Sequence, residues 1–263
     1  LVAEDLNSAK NWVDAVMQNS LFGNAGKNIL IEECLYGTEL SFMGILTPKE
    51  FIPFETSVDY KPLLDGNNGP NTGGMGCISP SPFMNDELKN TVMQKVVKPT
   101  IDGLNKLGIN YYGFMYFGLM VKDNDPKVLE FNCRLGDPET QCLMMQMESD
   151  LVDCLTDALK NNEVSIKWKT GASMGVVIAS DGYPGSYKIN RRISFGNTGN
   201  LKVFHAGTRS TNGFLETSGG RVFSVNYHGE SLDLCSEYIY KNIEEVQFDG
   251  NIYRKDIGKI YES

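Results

Sequence analysis

The sequence predicts an α+β fold: an antiparallel sheet with helices, followed by a small β-rich C-terminal domain. Three observations carry this. Strand-like runs occupy Leu40 to Leu46, Tyr111 to Val121 and Lys127 to Cys133, and the last two are joined by Lys122-Asp123-Asn124-Asp125-Pro126, a hairpin signal. Stretches with apolar residues at helical spacing flank these runs. Past Trp168 to Gly171 the pattern changes to short strands split by Gly, Ser and Asn turns. The expected division is therefore 1–166 and 167–263.

In chain order, Asn7 or Ser8 is expected to cap a helix whose apolar stripe is Ala9, Trp12, Val13, Val16 and Met17. Phe22 to Lys27 reads as a Gly/Asn-rich loop, and Asn28 to Glu33 as a short apolar strand. Leu40 to Leu46 is the next strand, and Phe51 to Val58 continues as strand or extended chain. Asp59 to Pro82 has loop chemistry, with Gly66, Gly69, Gly73, Gly74 and Gly76 close together. Asn85 or Asp86 starts a helix with Val92, Met93, Val96, Val97, Ile101 and Leu104 on one stripe, kinked at Pro99. Tyr112 to Met120 is apolar on both faces, as in a buried central strand. A helix is expected from Thr140 to Asn161. Beyond it lie strands at Ser173–Ser180, Leu201–Ala206 and Gly220–Asn226, then a helix from Ser231 to Glu245.

The chain has 263 residues, 41% of them hydrophobic, enough for a sizeable core. A net charge of −9 argues against a nucleic-acid partner, which calls for a basic face. No apolar run approaches membrane-spanning length, so no membrane partner is expected. Six cysteines without a CxxC pair read as reduced thiols, which suits a cytoplasmic enzyme. His205 and His228 are too few and too scattered for a zinc site.

The richest segment is Lys127 to Gln141. Glu130 and Asn132 sit two apart on a strand, so both point to one face. A carboxylate and an amide oxygen together suit a hard cation such as Mg²⁺; the same pair would also serve as a solvated strand face. Arg134 follows on that face and could fork onto a phosphate or carboxylate. Gly136-Asp137-Pro138 then breaks the strand, and Glu139 and Thr140 open a helix. Upstream, the glycines of Gly69-Pro70-Asn71-Thr72-Gly73-Gly74-Met75-Gly76 could turn backbone N–H groups onto an anion, or could simply form a flexible connection.

Arg134-Leu135-Gly136-Asp137-Pro138-Glu139-Thr140-Gln141 resembles the signature of the phosphoribosylamine–glycine ligase (glycinamide ribonucleotide synthetase) family, purine-biosynthetic enzymes of the ATP-grasp superfamily. The Pro70 to Gly76 stretch is similar to that family almost residue for residue. Similarity continues through Gly182-Tyr183-Pro184-Gly185, Gly219-Gly220-Arg221-Val222 and Arg254-Lys255-Asp256-Ile257-Gly258, and so spans the chain.

The resemblance implies a partial ATP-grasp domain and the ligation of glycine to 5-phosphoribosylamine with ATP, through a glycyl phosphate. It implies that Glu32, Glu33, Cys34 and Leu35 form the adenine hinge and that Glu39 takes the ribose. Glu130 and Asn132 would hold Mg²⁺ or Mn²⁺, and Arg134 and Asp137 would act on the reacting groups, with Glu139 a further candidate for a substrate amine. Asp59, Lys61, Asn71, Thr72, Gly73, Gly74 and Met75 would form a mobile substrate loop. The family pattern also implies more chain ahead of Leu1, including a Gly-rich loop with a phosphate-binding lysine; Asn24-Ala25-Gly26-Lys27 lies in the wrong place for it. The expectation is the C-terminal portion of a longer enzyme, inactive without the missing N-terminal half. The alternatives are another ATP-grasp carboxylate–amine ligase and a non-catalytic nucleotide-binding fragment.

Overall fold

The structure, a computed structural model, describes residues 2, 3 and 5–260. The chain packs as two units, Leu1–Tyr36 and Gly37–Ser263.

In the first unit, helix α1 (Leu6–Met17) is capped by Asp5 rather than by Asn7 or Ser8. The Asp5 carboxylate accepts the Ser8 N–H at 2.7 Å, and Ser8 Oγ accepts the Asp5 N–H at 3.1 Å. Two exposed donors of the first turn are thereby satisfied. The strand expected over Asn28 to Glu33 is absent: the segment is irregular, with Leu30 and Ile31 exposed. An extended run forms a strand only with a neighbour to complete its hydrogen-bond ladder, and none pairs with it among the described residues.

The second unit opens with β1 (Thr38–Leu46) and β2 (Phe51–Pro53). The region read as loop contains strands: β3 (Val58–Asp59), the hairpin β4 (Pro62–Leu64) and β5 (Asn68–Asn71), and the fully buried β6 (Gly76–Ser79). Four residues with glycine and serine at their ends carry too little apolar pattern to announce a strand. The next helix is capped by Asn85, as expected, and runs as α2 (Asp86–Val92), a π-helical turn over Met93–Val97, and α3 (Lys98–Lys106). Pro99 lies in the first turn of α3; lacking an N–H, it suits this loosened junction.

Strands β7 (Gly113–Lys122) and β8 (Asp125–Asn132) form the expected hairpin. Asp123 and Asn124, at φ 52° and 57°, supply the left-handed pair that a two-residue turn requires. The long helix expected after Thr140 is broken into α4 (Glu139–Gln146) and α5 (Leu151–Lys160). Met147 is extended and pairs with Trp168, while the Asp150 side chain accepts the Val152 and Asp153 N–H groups and restarts the helix. The remaining long elements are β9 (Ala172–Ser180), β10 (Ser194–Phe195), β11 (Lys202–His205), β12 (Thr208–Thr211), β13 (Phe214–Thr217), β14 (Arg221–Gly229) and α6 (Leu232–Asn242).

Two antiparallel sheets organise this unit. One has the order β2-β1-β7-β8; the other runs β11-β14-β9-β6-β3. The 1–166 and 167–263 division runs through the second sheet, at the β6–β9 pair. On the first sheet, Leu40, Phe42, Phe117 and Leu119 face α2 and α3 and are almost wholly buried. Removing such an aromatic side chain costs about 3–5 kcal/mol. The opposite face carries Glu39, Ser41, Tyr116, Gly118, Glu130 and Asn132 in facing registers. Helix α4 lies between the sheets: Leu143 packs with Met43 and Ile45, while the Cys142 thiol donates to the Cys77 carbonyl.

Candidate active site

The polar face of the first sheet is built by strand alternation with one correction. Gly118 pairs with Glu130 but Leu119 pairs with Val128, so Leu129 is an extra residue in β8. This bulge keeps Val128 on the apolar side and turns Glu130 to the polar side. Glu130 and Asn132 therefore do share a face, as alternation predicts. Strand β8 ends at Asn132, so alternation does not reach Arg134, which is exposed and donates from Nη1 to the Leu135 carbonyl at 2.9 Å.

Lys61 stands near this face and forms an ion pair with Glu39. Burial works against its charge, but Glu39, Asp59 and Glu130 outweigh that and raise its pKa. Glu39, Asp59 and Lys61 border a cavity of about 210 Å³ whose wall includes Asn67 and Asn71.

Behind Lys61 lies a buried carboxyl pair. Glu139, at the first turn of α4, is 2% exposed; its Oε1 accepts the Ser41 hydroxyl at 3.0 Å, and Ser41 Oγ is 3.0 Å from the Tyr116 hydroxyl. The Tyr116 hydroxyl also bonds the Glu139 carboxyl, so Ser41 and Tyr116 together face that acid. Gly136 makes this possible, because a Cβ there would meet the Glu139 carboxyl carbon at 2.4 Å. Asp59 Oδ1 is buried without a hydrogen-bond partner. Burial, and then the nearby Glu139 charge, hold the Asp59 carboxyl well above its usual range, against the pull of Lys61 and Arg221. Burial raises Glu139 too, despite bonds from its own N–H and from Ser41.

The glycine-rich loop closes over Asp59. Thr72 caps it from both sides: its N–H and Oγ1 donate to the Lys61 carbonyl, and Oγ1 accepts the Gly74 N–H at 3.0 Å. Gly74, at φ 112°, is pressed between Asp59 Oδ1 and the Pro138 ring, which an added Cβ would meet at 2.5 and 2.4 Å. Met75 is buried, and its backbone joins Tyr60 and Val177. Asp137 is exposed but engaged at both oxygens: Oδ1 accepts from Gln141 at 3.0 Å and Oδ2 from Arg221 at 3.0 Å.

The structure thus brings together Glu39, Asp59, Lys61, Glu130 and the loop residues Asn71 to Met75. Glu32, Glu33 and Cys34 are exposed and Leu35 half-buried on the irregular end of the other unit. Sequence reasoning missed Ser41, Tyr116 and Arg221 as site residues. Arg221 lay within a stretch already noted for similarity, but nothing in its own surroundings linked it to residues 73 and 137.

As cation ligands, Glu130 and Asn132 fit. Their side chains offer a carboxylate and an amide oxygen, both hard donors, on one face of the sheet. Two protein ligands suffice where phosphates complete a Mg²⁺ shell. Among the described residues, no cluster of three or more His, Cys, Asp or Glu side chains forms a separate metal site.

Comparison with known proteins accords with this geometry. Residues 1–140 match the family model "Phosphoribosylglycinamide synthetase, ATP-grasp (A) domain", and residues 173–260 match "Phosphoribosylglycinamide synthetase, C domain". A phosphoribosylamine–glycine ligase from Clostridium acetobutylicum is 41% identical over 98% of this chain and 63% of its own length. One from Vibrio parahaemolyticus is 42% identical, over 98% and 62%. The crystal structure of phosphoribosylamine–glycine ligase from Thermotoga maritima superposes with a TM-score of 0.83 at 32% identity, over 93% of this chain and 63% of that one. The biotin carboxylase domain of Hydrogenobacter thermophilus 2-oxoglutarate carboxylase, in complex with MgADP, shares the fold alone: TM-score 0.67 at 13% identity, over 94% of this chain and 54% of that one.

The fold is that of an ATP-grasp protein. Within that class, the chain belongs to the phosphoribosylglycinamide synthetase family. It spans about three-fifths of the length of the curated relatives it matches, 62–63%.

Proposed function

We propose that this chain carries the metal-binding and substrate-loop part of an ATP-dependent carboxylate–amine ligase in purine biosynthesis. Glycine and 5-phosphoribosylamine would be joined to glycinamide ribonucleotide, with release of ADP and phosphate. What carries this reading is the facing of Glu130 and Asn132, on one sheet surface, by Lys61 and the glycine-rich loop.

The glycine carboxylate takes the γ-phosphoryl group to form an acyl phosphate and ADP. The amine of phosphoribosylamine then attacks the acyl carbon and loses a proton as phosphate departs. Both steps depend on positioning and charge neutralisation. Glu130 and Asn132 would hold Mg²⁺ or Mn²⁺, which supplies positive charge across the phosphates when bound. Lys61 adds a second cation on the same side, and Arg134, whose guanidinium is exposed, takes the transferring group or the acyl phosphate. Glu39 takes the ribose hydroxyls by sharing with Lys61, and the main chain of Glu32 to Leu35 reads adenine. Asp137, held by Gln141 and Arg221 with acceptor capacity to spare, fixes the loop and stays within reach of the reacting groups. A cytoplasmic setting goes with this metabolic reading.

The test is ADP release with MgATP, glycine and freshly generated phosphoribosylamine. A protein of the relatives' full length carrying this chain is expected to release ADP only when both glycine and the amine are present, and the 263-residue chain alone to release none. ADP release that ignores glycine sinks the reading; dependence on a different amine reassigns the substrate.

A further inference from the structure

We infer that Arg221, the first residue of β14, is a positioning residue that locks the glycine-rich loop onto the Asp137–Pro138 turn and so shapes the end of the site away from the nucleotide. The kinetic consequence rests on the ligase reading; the structural one rests on geometry alone.

One guanidinium serves two separate segments. Nη1 donates to the Gly73 carbonyl at 2.7 Å and to the Asp137 carbonyl at 2.6 Å, with the Gly74 carbonyl at 3.4 Å. Nη2 donates to Asp137 Oδ2 at 3.0 Å. The Tyr183 hydroxyl accepts the Gly73 N–H at 2.9 Å, so two side chains from the C-terminal part of the chain pin the same loop residue. The Arg221 side chain is 22% exposed, and screening by water is correspondingly reduced.

The consequence reaches Asp59. Gly74 fits between Asp59 Oδ1 and Pro138 with no room for a Cβ, so the loop covers a carboxyl oxygen that has no donor of its own. Releasing Arg221 frees the loop from the turn and uncovers that oxygen. Glu39, by contrast, is held by Lys61, and β1 has no bond to Arg221. The side-chain bonds of Arg221 go to Gly73, Gly74 and Asp137, so its loss acts first on the loop and Asp59 and reaches Glu39 only indirectly. A lysine does not replace it: one ammonium cannot hold the two carbonyls that Nη1 bridges and also the Asp137 carboxylate that Nη2 holds.

The test uses Arg221→Ala and Arg221→Lys in a protein of the relatives' full length. In both variants kcat/KM for glycine is expected to fall at least roughly tenfold while KM for ATP stays within about twofold. Amide hydrogen exchange at Gly73 to Met75 is expected to speed up at least roughly tenfold in both. Full activity in Arg221→Lys, or a parallel rise in KM for ATP, overturns the inference. So does unchanged loop exchange. If the unsubstituted protein shows no ligase turnover, the ligase reading fails by itself, and the exchange comparison still decides the role of Arg221. Should the alanine variant not fold, the lysine variant carries both readouts.

Discussion

Asp59 carries more physical tension than any other side chain in the site. Its Oδ1 has no donor, Glu139 lies close, and burial favours the neutral form. Its folded pKa stands above the ordinary 3.8, so the folded state holds the proton more tightly than the unfolded one. Stability is then lost as pH rises from the ordinary value towards the folded one, by about 1.4 kcal/mol per unit in that window. Asp59→Asn removes the titration and keeps the shape. Its melting temperature is expected to match that of the unsubstituted protein near pH 4 and to exceed it increasingly as pH rises, until the folded carboxyl is ionised. A difference independent of pH contradicts the assignment. Asp59 and Lys61 were legible in the sequence as loop residues beside a glycine run. Their partners were not: Glu139 and Arg221 lie far along the chain, and local pattern carries no information about which distant charge folds back.

At the scale of elements, the β7–β8 hairpin was legible because its turn needs two left-handed residues and the sequence supplies Asp123 and Asn124. The shared face of Glu130 and Asn132 followed from period two. The bulge at Leu129 did not, since the adjacent apolar pair Val128-Leu129 does not by itself say that one of the two is an extra residue. The buried strand Gly76–Ser79 stayed hidden inside a glycine-rich run, although it sits next to β9 in the larger sheet. Gly118 shows how an element tunes the site. A Cβ there would meet Glu130 Cγ at 2.9 Å, and the flexible Glu130 side chain would swing aside. Gly118→Ala is expected to change stability by less than about 1 kcal/mol. Metal-dependent nucleotide affinity should fall roughly tenfold, about 1.4 kcal/mol. Thermal melting and a metal titration check the two halves; unaltered metal dependence would show that Glu130 does not work from that position.

Across the whole molecule, the C-terminal segment ties down the glycine-rich hairpin. Arg254, wholly buried, donates to both Asp256 oxygens at 2.7 Å, to the Pro62 carbonyl at 3.0 Å and to Asn67 Oδ1 at 3.0 Å. Asp256 Oδ2 also accepts the Gly66 N–H at 2.8 Å. Asp256→Ala leaves a buried guanidinium without its counter-ion, and the expected loss is about 3–5 kcal/mol in a urea unfolding curve. A loss below 1 kcal/mol would mean that water reaches the pair. The α+β class was legible from periodicity, but the joining of strands from both halves of the chain into one sheet was not, because long-range pairing leaves no local trace. The polar sheet face is the proposed seat of metal and nucleotide. The most direct measurement is ATP binding by calorimetry, with and without Mg²⁺, for a protein of the relatives' full length and its Glu130→Gln variant. The variant is expected to lose the Mg²⁺-dependent part of the affinity and keep the metal-free part, as befits a metal ligand. Equal Mg²⁺ dependence in both proteins would contradict that role.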